Sequence, residues 1–233
     1  MKVVINQSNY LPWKGYFDLI HDADLFIFHD DLQYTKNDWR NRNKLKTAAG
    51  ASWFTIPVGA DEHRLICEVR LPAGDDWAQR HWRRLEENYR HAPFFARYAP
   101  FFRSVYLERR WATLSELNQY LIEAIAREFL GITTRFADSR TYALKEKKQE
   151  RVLELLRATG ATSYISGPAA KSYLEESRFT AAGLKLVWKD YTGYPEYPQR
   201  HPPFEPAVSI IDLLFNTGPE APHYIWGWRE SRS

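Results

Sequence analysis

Two short apolar runs near the start of the chain most constrain its fold. The first, Val3 to Asn6, is rich in β-branched residues, and the second, Leu25 to Phe28, ends at the polar residue His29. A stretch with helical spacing of apolar residues, from about Gly15 to His21, lies between the two runs. The succession of strand, helix and strand predicts a βαβ unit, whose crossover is right-handed in nearly all known cases.

The last third of the chain repeats this alternation. A charged helix is predicted from about Lys145 to Thr159, followed by a strand at 162–165. A helix at 169–177 then leads to another strand at 184–188. This order predicts an α/β fold, with a Rossmann-like, mostly parallel sheet and flanking helices. We expect residues 1–233 to form a single α/β domain, because no repeat or long linker divides them.

The middle of the chain is predicted to be a helical segment, at about 76–130. Pro93 and Pro100 are expected to interrupt it. Thr113 and Glu116 match a capping box, and apolar residues at helical spacing follow them.

Three shorter elements complete the prediction. A strand at 53–58 is expected near a sheet edge, since Pro57 cannot donate to a strand ladder. Alternating residues at 67–71 predict a half-exposed strand. Near the end of the chain, Ser209 is expected to cap a short apolar helix.

Composition excludes several classes of function. The net charge is only +3, from 32 basic and 29 acidic residues, which does not indicate a nucleic-acid-binding protein. The single cysteine, Cys67, forms no disulfide within the chain, and the seven histidines lack zinc-site spacing. The N-terminus lacks the apolar core of a signal peptide, and no segment approaches the length of a membrane span. We therefore expect a soluble, cytoplasmic protein without a metal site, nucleic-acid partner or membrane insertion.

Charged side chains are most concentrated between Asp30 and Thr47, directly after the second apolar run. These eighteen residues include three Asp, two Arg, three Lys and three Asn. The pattern favours an anion pocket in which Arg and Lys bind a phosphate while an Asp accepts a proton. A solvated loop with balanced charges is the alternative. The candidate catalytic residues are Asp30, Asp31, Tyr34 and Lys36, and the candidate substrate-binding residues are Trp39, Arg40, Asn41, Arg42, Asn43 and Lys46.

A second segment, Gln7 to Tyr16, places small polar groups and aromatic rings between the first strand and the first helix. Backbone amides at such a helix start bind anions, although an ordinary turn packed by Pro12 and Trp13 is equally compatible with the sequence. A later strand end, at Ser166 and Gly167, is expected to form a second wall of the same crevice. The additional substrate-binding candidates are Gln7, Asn9, Tyr10, Trp13, Ser166 and Gly167.

Long stretches of the sequence resemble the WbqC-like protein family. They are QSNYLPWKGYFDLI, DDLQYTKNDWRNRNKLKT, WFTIPV, YISGPAAKSYL, YPEYPQ and SIIDLLFNTG. The resemblance implies a protein of bacterial O-antigen (lipopolysaccharide) and surface-polysaccharide gene clusters. It also implies an activity that has been suggested for the family, the transfer of a glycyl or aminoacyl group to a sugar. Ser8 stands where the resemblance leads us to expect a proline, and His29 where it leads us to expect an apolar residue.

The leading hypothesis is a transferase that moves an acyl or aminoacyl (glycyl) group onto an amino sugar linked to a nucleotide or a lipid. Arg40, Arg42 and Lys46 then bind the phosphate, and Asp30 or Asp31 acts as the base. The partner is a phosphorylated small molecule or a nucleotide-linked sugar, and no motif indicates a cofactor. The first alternative is a nucleotide-activating enzyme similar to nucleotidylyltransferases, although only the glycine of their His-x-Gly-His motif is present. The second alternative is a non-catalytic binding protein of the same pathway.

Overall fold

The structure is a computed structural model that describes residues 1–73 and 76–230. Within this part of the chain, five parallel strands form the main sheet, in the order β5-β2-β1-β6-β7. Two further strands, β3 and β4, form a separate antiparallel hairpin. In chain order, the strands are β1 (Lys2–Asn6), β2 (Leu25–Phe28), β3 (Arg42–Thr47), β4 (Gly50–Thr55), β5 (Arg135–Asp138), β6 (Ser163–Ser166) and β7 (Lys185–Trp188).

The strand order confirms the predicted α/β, Rossmann-like fold. The chain runs outwards from β1 to β2 and β5, and then returns to place β6 on the other side of β1. Parallel sheets of this kind bind ligands outside the carboxyl ends of their strands, at the point where the order reverses. In this protein that point lies between β1 and β6.

Helices cover both faces of the sheet. They are α1 (Lys14–His21), α2 (Trp77–Tyr89), α3 (Phe95–Arg103), α4 (Leu114–Ala124), α5 (Lys148–Ala158), α6 (Glu176–Ala181), α7 (Ile210–Thr217) and α8 (Gly227–Glu230). In the described ranges, every helix is too short or too polar to cross a bilayer.

Alternate residues of the strands pack into two separate cores. Val4 faces a large cluster that also contains side chains of α1, α2, α3, α4 and α7. Val3 and Ile5 face a smaller cluster built with Leu156 of α5 and Phe179 of α6. The side-chain alternation of a strand produces this division, and because both faces are buried the strands read as continuous apolar runs.

The β3–β4 hairpin corrects two expectations. Residues 42–47 were expected to be loop but form β3, and the strand expected at 53–58 is β4, which ends at Thr55 and does not join the main sheet. In β3, Asn43, Leu45 and Lys46 are buried, while Arg42, Lys44 and Thr47 are partly exposed. The two-residue period of a strand is present at residues 42–45. It is not visible as alternating apolar residues, because the buried Asn43 is polar and its neighbours are charged.

Three other expectations differ from the structure. The strand expected at 67–71 is wrong, because Ile66–Glu68 forms a 3-10 turn and Arg70 makes only an isolated bridge. The helix expected at 169–177 is a 3-10 turn at Pro168–Ser172, followed by α6. The edge strand β5 was not predicted, since a four-residue strand with charged ends carries little pattern.

The long central helix begins and ends as the sequence predicts. The Thr113 hydroxyl accepts a hydrogen bond from the Glu116 backbone nitrogen at 3.2 Å, and the Glu116 carboxylate accepts one from the Ala112 backbone nitrogen at 2.8 Å. The helix continues through a π turn, Ile125–Phe129, to Gly131, whose φ of 67° is a left-handed conformation. Pro93 precedes α3, as expected, whereas Pro100 lies inside α3 and does not end it.

Replacing Thr113 with Ala should lower the free energy of unfolding by about 1 kcal/mol, because the Glu116 amide loses its capping partner. Urea unfolding followed by circular dichroism measures this change. The matched control is Thr133→Ala, in an exposed loop, which should leave stability nearly unchanged. Equal midpoints for the two variants would contradict the capping role.

Candidate functional site

The Asp30 carboxylate is fully buried at the carboxyl end of β2. One of its oxygens accepts a hydrogen bond from the backbone nitrogen of Ser8 at 2.7 Å. The other accepts from the hydroxyl of Ser115 and from the amide of Gln119, the latter at 3.0 Å. The same Gln119 amide also donates to Asp138, at the end of β5. Asp30 thus joins the ends of neighbouring strands to α4, and its oxygens are used by protein donors.

Asp31 has a different environment from Asp30. Its side chain is 17% exposed and accepts hydrogen bonds from Ser139 and from the Arg151 guanidinium. The His29 imidazole lies 3.7 Å away, and its Nε2 accepts a hydrogen bond from Arg151 Nε at 3.1 Å. Burial lowers the pKa of His29; Asp31 opposes this shift and Arg151 adds to it. His29 is therefore a neutral base at pH 7.

Arg40 links the two segments that the sequence analysis selected. Its guanidinium donates to the side-chain oxygens of Gln7 and Asn9. Its backbone oxygen accepts a hydrogen bond from the Asn118 amide at 2.8 Å. The neighbouring backbone oxygen, that of Trp39, accepts from the Tyr10 nitrogen at 2.9 Å. Gln7 and Asn9 are thus held at fixed positions beyond the end of β1.

A cavity of about 780 Å³ opens at the carboxyl ends of β1 and β2 and is also lined by Tyr164 of β6. Its floor includes Gln7 and His29. One wall is the start of α5, and the other is the segment that leads into α6. Four basic and two acidic side chains line the cavity: Lys147, Lys148, Arg151, Arg178, Glu150 and Glu175. We call this cavity the basic crevice; its position is where the strand order reverses.

A smaller cleft of about 260 Å³ lies on the other side of the Gln7–Asn9 segment. It is mainly apolar and carries no charged group: its lining is Asn9, Pro12, Trp13, Trp39, Asn43 and Ala207. A side chain at Gly15 would place its Cβ 2.3 Å from the Trp13 ring, so the glycine is required for the position of that ring. We call this the aromatic cleft.

Backbone strain occurs in both selected segments and at the basic crevice. Among the described residues, left-handed φ angles outside glycine occur at Leu11 (44°), Asn37 (58°) and Lys148 (52°). Leu11 and Asn37 lie in the two selected segments, and Lys148 lines the basic crevice. A buried leucine in this conformation is costly, and such strain concentrates at functional sites. The Asn43 amide supports Leu11 by donating to its carbonyl oxygen at 2.8 Å.

Several candidate residues are engaged within the protein. Tyr10 is fully buried; its hydroxyl bonds to Tyr106 and to His81 Nδ1, so its ring is part of the core and not a stacking surface. Asn41 donates to the Ile56 carbonyl oxygen at 2.9 Å. Lys46 is buried and donates to the Pro203 carbonyl oxygen at 2.5 Å.

The other candidates lie at differing depths. Tyr34 is buried, whereas Lys36 is exposed and lies 3.7 Å from a Glu62 carboxylate oxygen. The Arg42 guanidinium stacks on the Trp53 ring at 4.0 Å. Ser166 is buried at the end of β6, and Gly167 follows it. None of these residues lines the basic crevice, so their roles in binding or catalysis stay predictions.

Two parts of the basic crevice, the α5 wall and Tyr173, were not predicted from the sequence. Lys147, Lys148 and Arg151 read as the polar face of a charged helix, and Tyr173 as a residue within one. Tyr173 comes shortly after the predicted strand at 162–165, at the end of the sheet where a parallel fold places its ligand. No strand was predicted before α5, so no feature of the sequence marked its basic residues.

One acidic cluster has metal-ligand spacing but is already neutralised. Potential ligand atoms of Asp18, His21 and Asp22 lie within 4.8 Å of one another. The Asp18 carboxylate, however, accepts hydrogen bonds from Arg229 and lies 2.9 Å from Lys189 Nζ. These two basic side chains therefore already neutralise the Asp18 carboxylate that a metal cation would need as a ligand.

Lys14 is a buried lysine at the start of α1. Its Nζ donates to the Pro195 carbonyl oxygen at 3.1 Å and faces the rings of Tyr194 and Tyr197 at 5.0 and 5.3 Å. Burial lowers its pKa from the ordinary 10.5 to about 8, although Asp18 opposes the shift. The lysine anchors the irregular segment that follows β7 onto α1.

This pKa predicts a pH dependence of stability. Between about pH 8 and 10.5 the unfolded state binds more protons at Lys14 than the folded state, so this group makes stability rise with pH in that window. Lys14→Met should remove that contribution and flatten the profile. Urea unfolding from about pH 8 to 9.5, below ordinary tyrosine ionisation, measures it. Exposed Lys185→Met is the control, and equal slopes in Lys14→Met and wild type would contradict the assignment.

The two neighbouring aspartates should respond differently to substitution. Asp30→Asn places an amide donor against other donors and should destabilise the protein by about 2–3 kcal/mol. Asp31→Asn, at a partly exposed position, should cost about 1 kcal/mol or less. Thermal and urea unfolding of both variants measure the difference. A larger loss of stability for Asp31→Asn than for Asp30→Asn would contradict the roles assigned to the two carboxylates.

Known proteins match this chain over nearly its whole length. The model of the WbqC-like protein family matches residues 7–224. Uncharacterized protein Rv1507c of Mycobacterium tuberculosis is 50% identical over 226 residues, which cover 96% of this chain and 97% of that protein. No solved structure matches the chain. The family match spans both selected segments and every strand of the sheet except β1, and the chain therefore belongs to the WbqC-like protein family.

Proposed function

We propose that the protein is a transferase of bacterial surface-polysaccharide biosynthesis that acts on a phosphorylated, amino-sugar-containing substrate. It moves an acyl or aminoacyl (glycyl) group onto the amino group of the sugar. The basic crevice binds the phosphate part of the substrate, and the aromatic cleft binds a sugar ring.

The observation that carries this proposal is the charge of the crevice at the reversal of the strand order. Four basic side chains converge there with two acidic ones, and Arg178 is paired with Glu150 at 2.9 Å. The start of α5 adds the partial positive charge of a helix N-terminus. An anion of the size of a phosphorylated sugar or nucleotide fits a volume of about 780 Å³.

The aromatic cleft supports a second binding region. It is too small for a drug-sized ligand, and its Trp13 and Trp39 rings offer faces on which a sugar ring can stack. Gln7 borders the crevice and Asn9 borders the cleft, and the Arg40 guanidinium bonds to both. Substrate groups bound in the two cavities therefore approach each other at this segment.

The chemistry needs a proton acceptor near the crevice. The amine nitrogen of the sugar attacks the carbonyl carbon of the donor, the bond to the leaving group breaks, and the amine loses a proton. His29 lines the crevice as a neutral imidazole, and Asp31 lies beside it. Arg151 Nε donates to His29 Nε2, so we assign proton acceptance to this pair once the substrate phosphate has drawn Arg151 away, whereas Asp30 positions the strand ends.

Phosphate binding is tested by removing charge from the α5 wall. Lys147→Ala with Lys148→Ala should weaken binding of UDP and of inorganic pyrophosphate by about tenfold or more in calorimetry, since each lost charged hydrogen bond is worth about 1.5–3 kcal/mol. The control, Lys185→Ala, removes a positive charge at the amino end of β7 and should not change affinity. Unchanged affinity in the double variant would remove the crevice as the phosphate site.

The transfer itself is tested by mass spectrometry. The small molecules retained by the purified protein should include the donor or the phosphorylated sugar. A nucleotide-linked amino sugar incubated with the protein and the retained donor should gain the mass of the acyl or glycyl group. His29→Gln should slow this gain by about 10²–10⁴-fold. If the wild-type protein binds both ligands but the amino sugar gains no mass, the protein is a binding protein and not a transferase.

The strand order also favours a nucleotide-activating enzyme, because sheets with this order bind nucleotides at the same crevice. In that case the crevice binds ATP, and turnover releases pyrophosphate or AMP in a magnesium-dependent manner. Release of pyrophosphate or AMP during the incubation described above would distinguish nucleotide activation from acyl transfer by a preformed donor.

A further inference from the structure

Tyr173 is the most exposed large aromatic side chain in the described part of the chain. It is 70% exposed, and the other two exposed large side chains, Trp39 and Trp53, lie at the aromatic cleft and next to it. Tyr173 lines the basic crevice instead. An aromatic ring in water at the rim of a cation-lined cavity offers a free face to a ligand that binds there.

The wall that carries Tyr173 is held firmly against the opposite wall. Gln149 of α5 exchanges two hydrogen bonds with the backbone of Glu175, at 2.9 and 3.1 Å. Arg178 of α6 is paired with Glu150 of α5 at 2.9 Å. Because these contacts bridge the walls on either side of the cavity, the Tyr173 backbone has a fixed position relative to the basic side chains of α5.

The two walls differ in chemistry. The α5 wall presents basic side chains and helix amides, which suit phosphate. The other wall presents the Tyr173 ring and the buried side chain of Leu174, which suit a flat apolar surface. A nucleotide has both parts in one molecule, a charged phosphate group and a base with a π face. A sugar ring can also pack on an aromatic side chain, but a planar base presents a full π face and is the better match for the 70% exposed Tyr173 ring.

We propose that the crevice binds a nucleoside diphosphate unit, with the phosphates on the α5 wall and the base stacked on Tyr173. The proposal rests on the proposed function, in which this crevice binds phosphate, and it selects a nucleotide-linked substrate over a lipid-linked one. Stacking is tolerant of base identity because every base has a π face, so Tyr173 sets the ligand class and not the choice of base.

The test compares two kinds of probe on matched variants. Calorimetry measures binding of nucleoside diphosphates (UDP, ADP, GDP and CDP) and of inorganic pyrophosphate, which has no base. Tyr173→Ala should weaken the best-binding nucleoside diphosphate about tenfold, as expected for loss of one stacked base, and leave pyrophosphate unchanged. Tyr173→Phe keeps the ring and should restore affinity to about the wild-type value. Circular dichroism confirms that both variants are folded.

The outcomes separate this inference from the function on which it rests. Nucleotide affinity that is unchanged in Tyr173→Ala would overturn the stacking role while leaving phosphate binding in place. Equal weakening of nucleotide and pyrophosphate would also overturn it, because the effect would then not depend on the base. Pyrophosphate and sugar phosphates that bind the wild type as tightly as nucleotides would make the ligand a phosphate without a base. If no probe binds the wild-type protein, the crevice is not a phosphate site and both proposals fail.

Discussion

The ends of the central strands are held in place by the buried carboxylate of Asp30. A buried charge is stable only when hydrogen bonds replace its lost water, and Asp30 receives them from the backbone after β1 and from two side chains of α4. Gln119 extends the network to the end of β5. The loop after β1 therefore starts from a fixed point. This fixes the positions of Gln7, which borders the basic crevice, and of Asn9, which borders the aromatic cleft.

Arg40 serves the same loop from the opposite side. It donates to Gln7 and Asn9, so the cation that was predicted to bind a ligand also holds two protein side chains. The positive charge lies beside Gln7, which lines the basic crevice, and under the proposed function it favours anion binding there. An interior arginine that orients amides beside a binding site acts on the ligand through the shape of the site.

The sequence predicted the parallel sheet because β1 and β2 are continuous apolar runs, and the central helix because Thr113 and Glu116 define its start. It also predicted that the segments Gln7 to Tyr16 and Asp30 to Thr47 lie close together, since each follows one of two strands that are neighbours in the sheet. It did not predict the β3–β4 hairpin, in which Asn43 is a buried strand residue whose amide supports Leu11. Nor did it predict the α5 wall, because basic residues on a helix read as solvated until the topology shows which end of the sheet they face.

The order of strands determines which strands lie at the edges of the sheet, where copies of the protein could aggregate. The sheet ends at β5 and β7, and each of these edge strands is only four residues long and begins with a basic residue, Arg135 or Lys185. Short edges with a charge at the start offer few unpaired backbone groups to a neighbouring chain and repel an identical edge. The open sides of the sheet thus protect the folded chain against edge-to-edge aggregation.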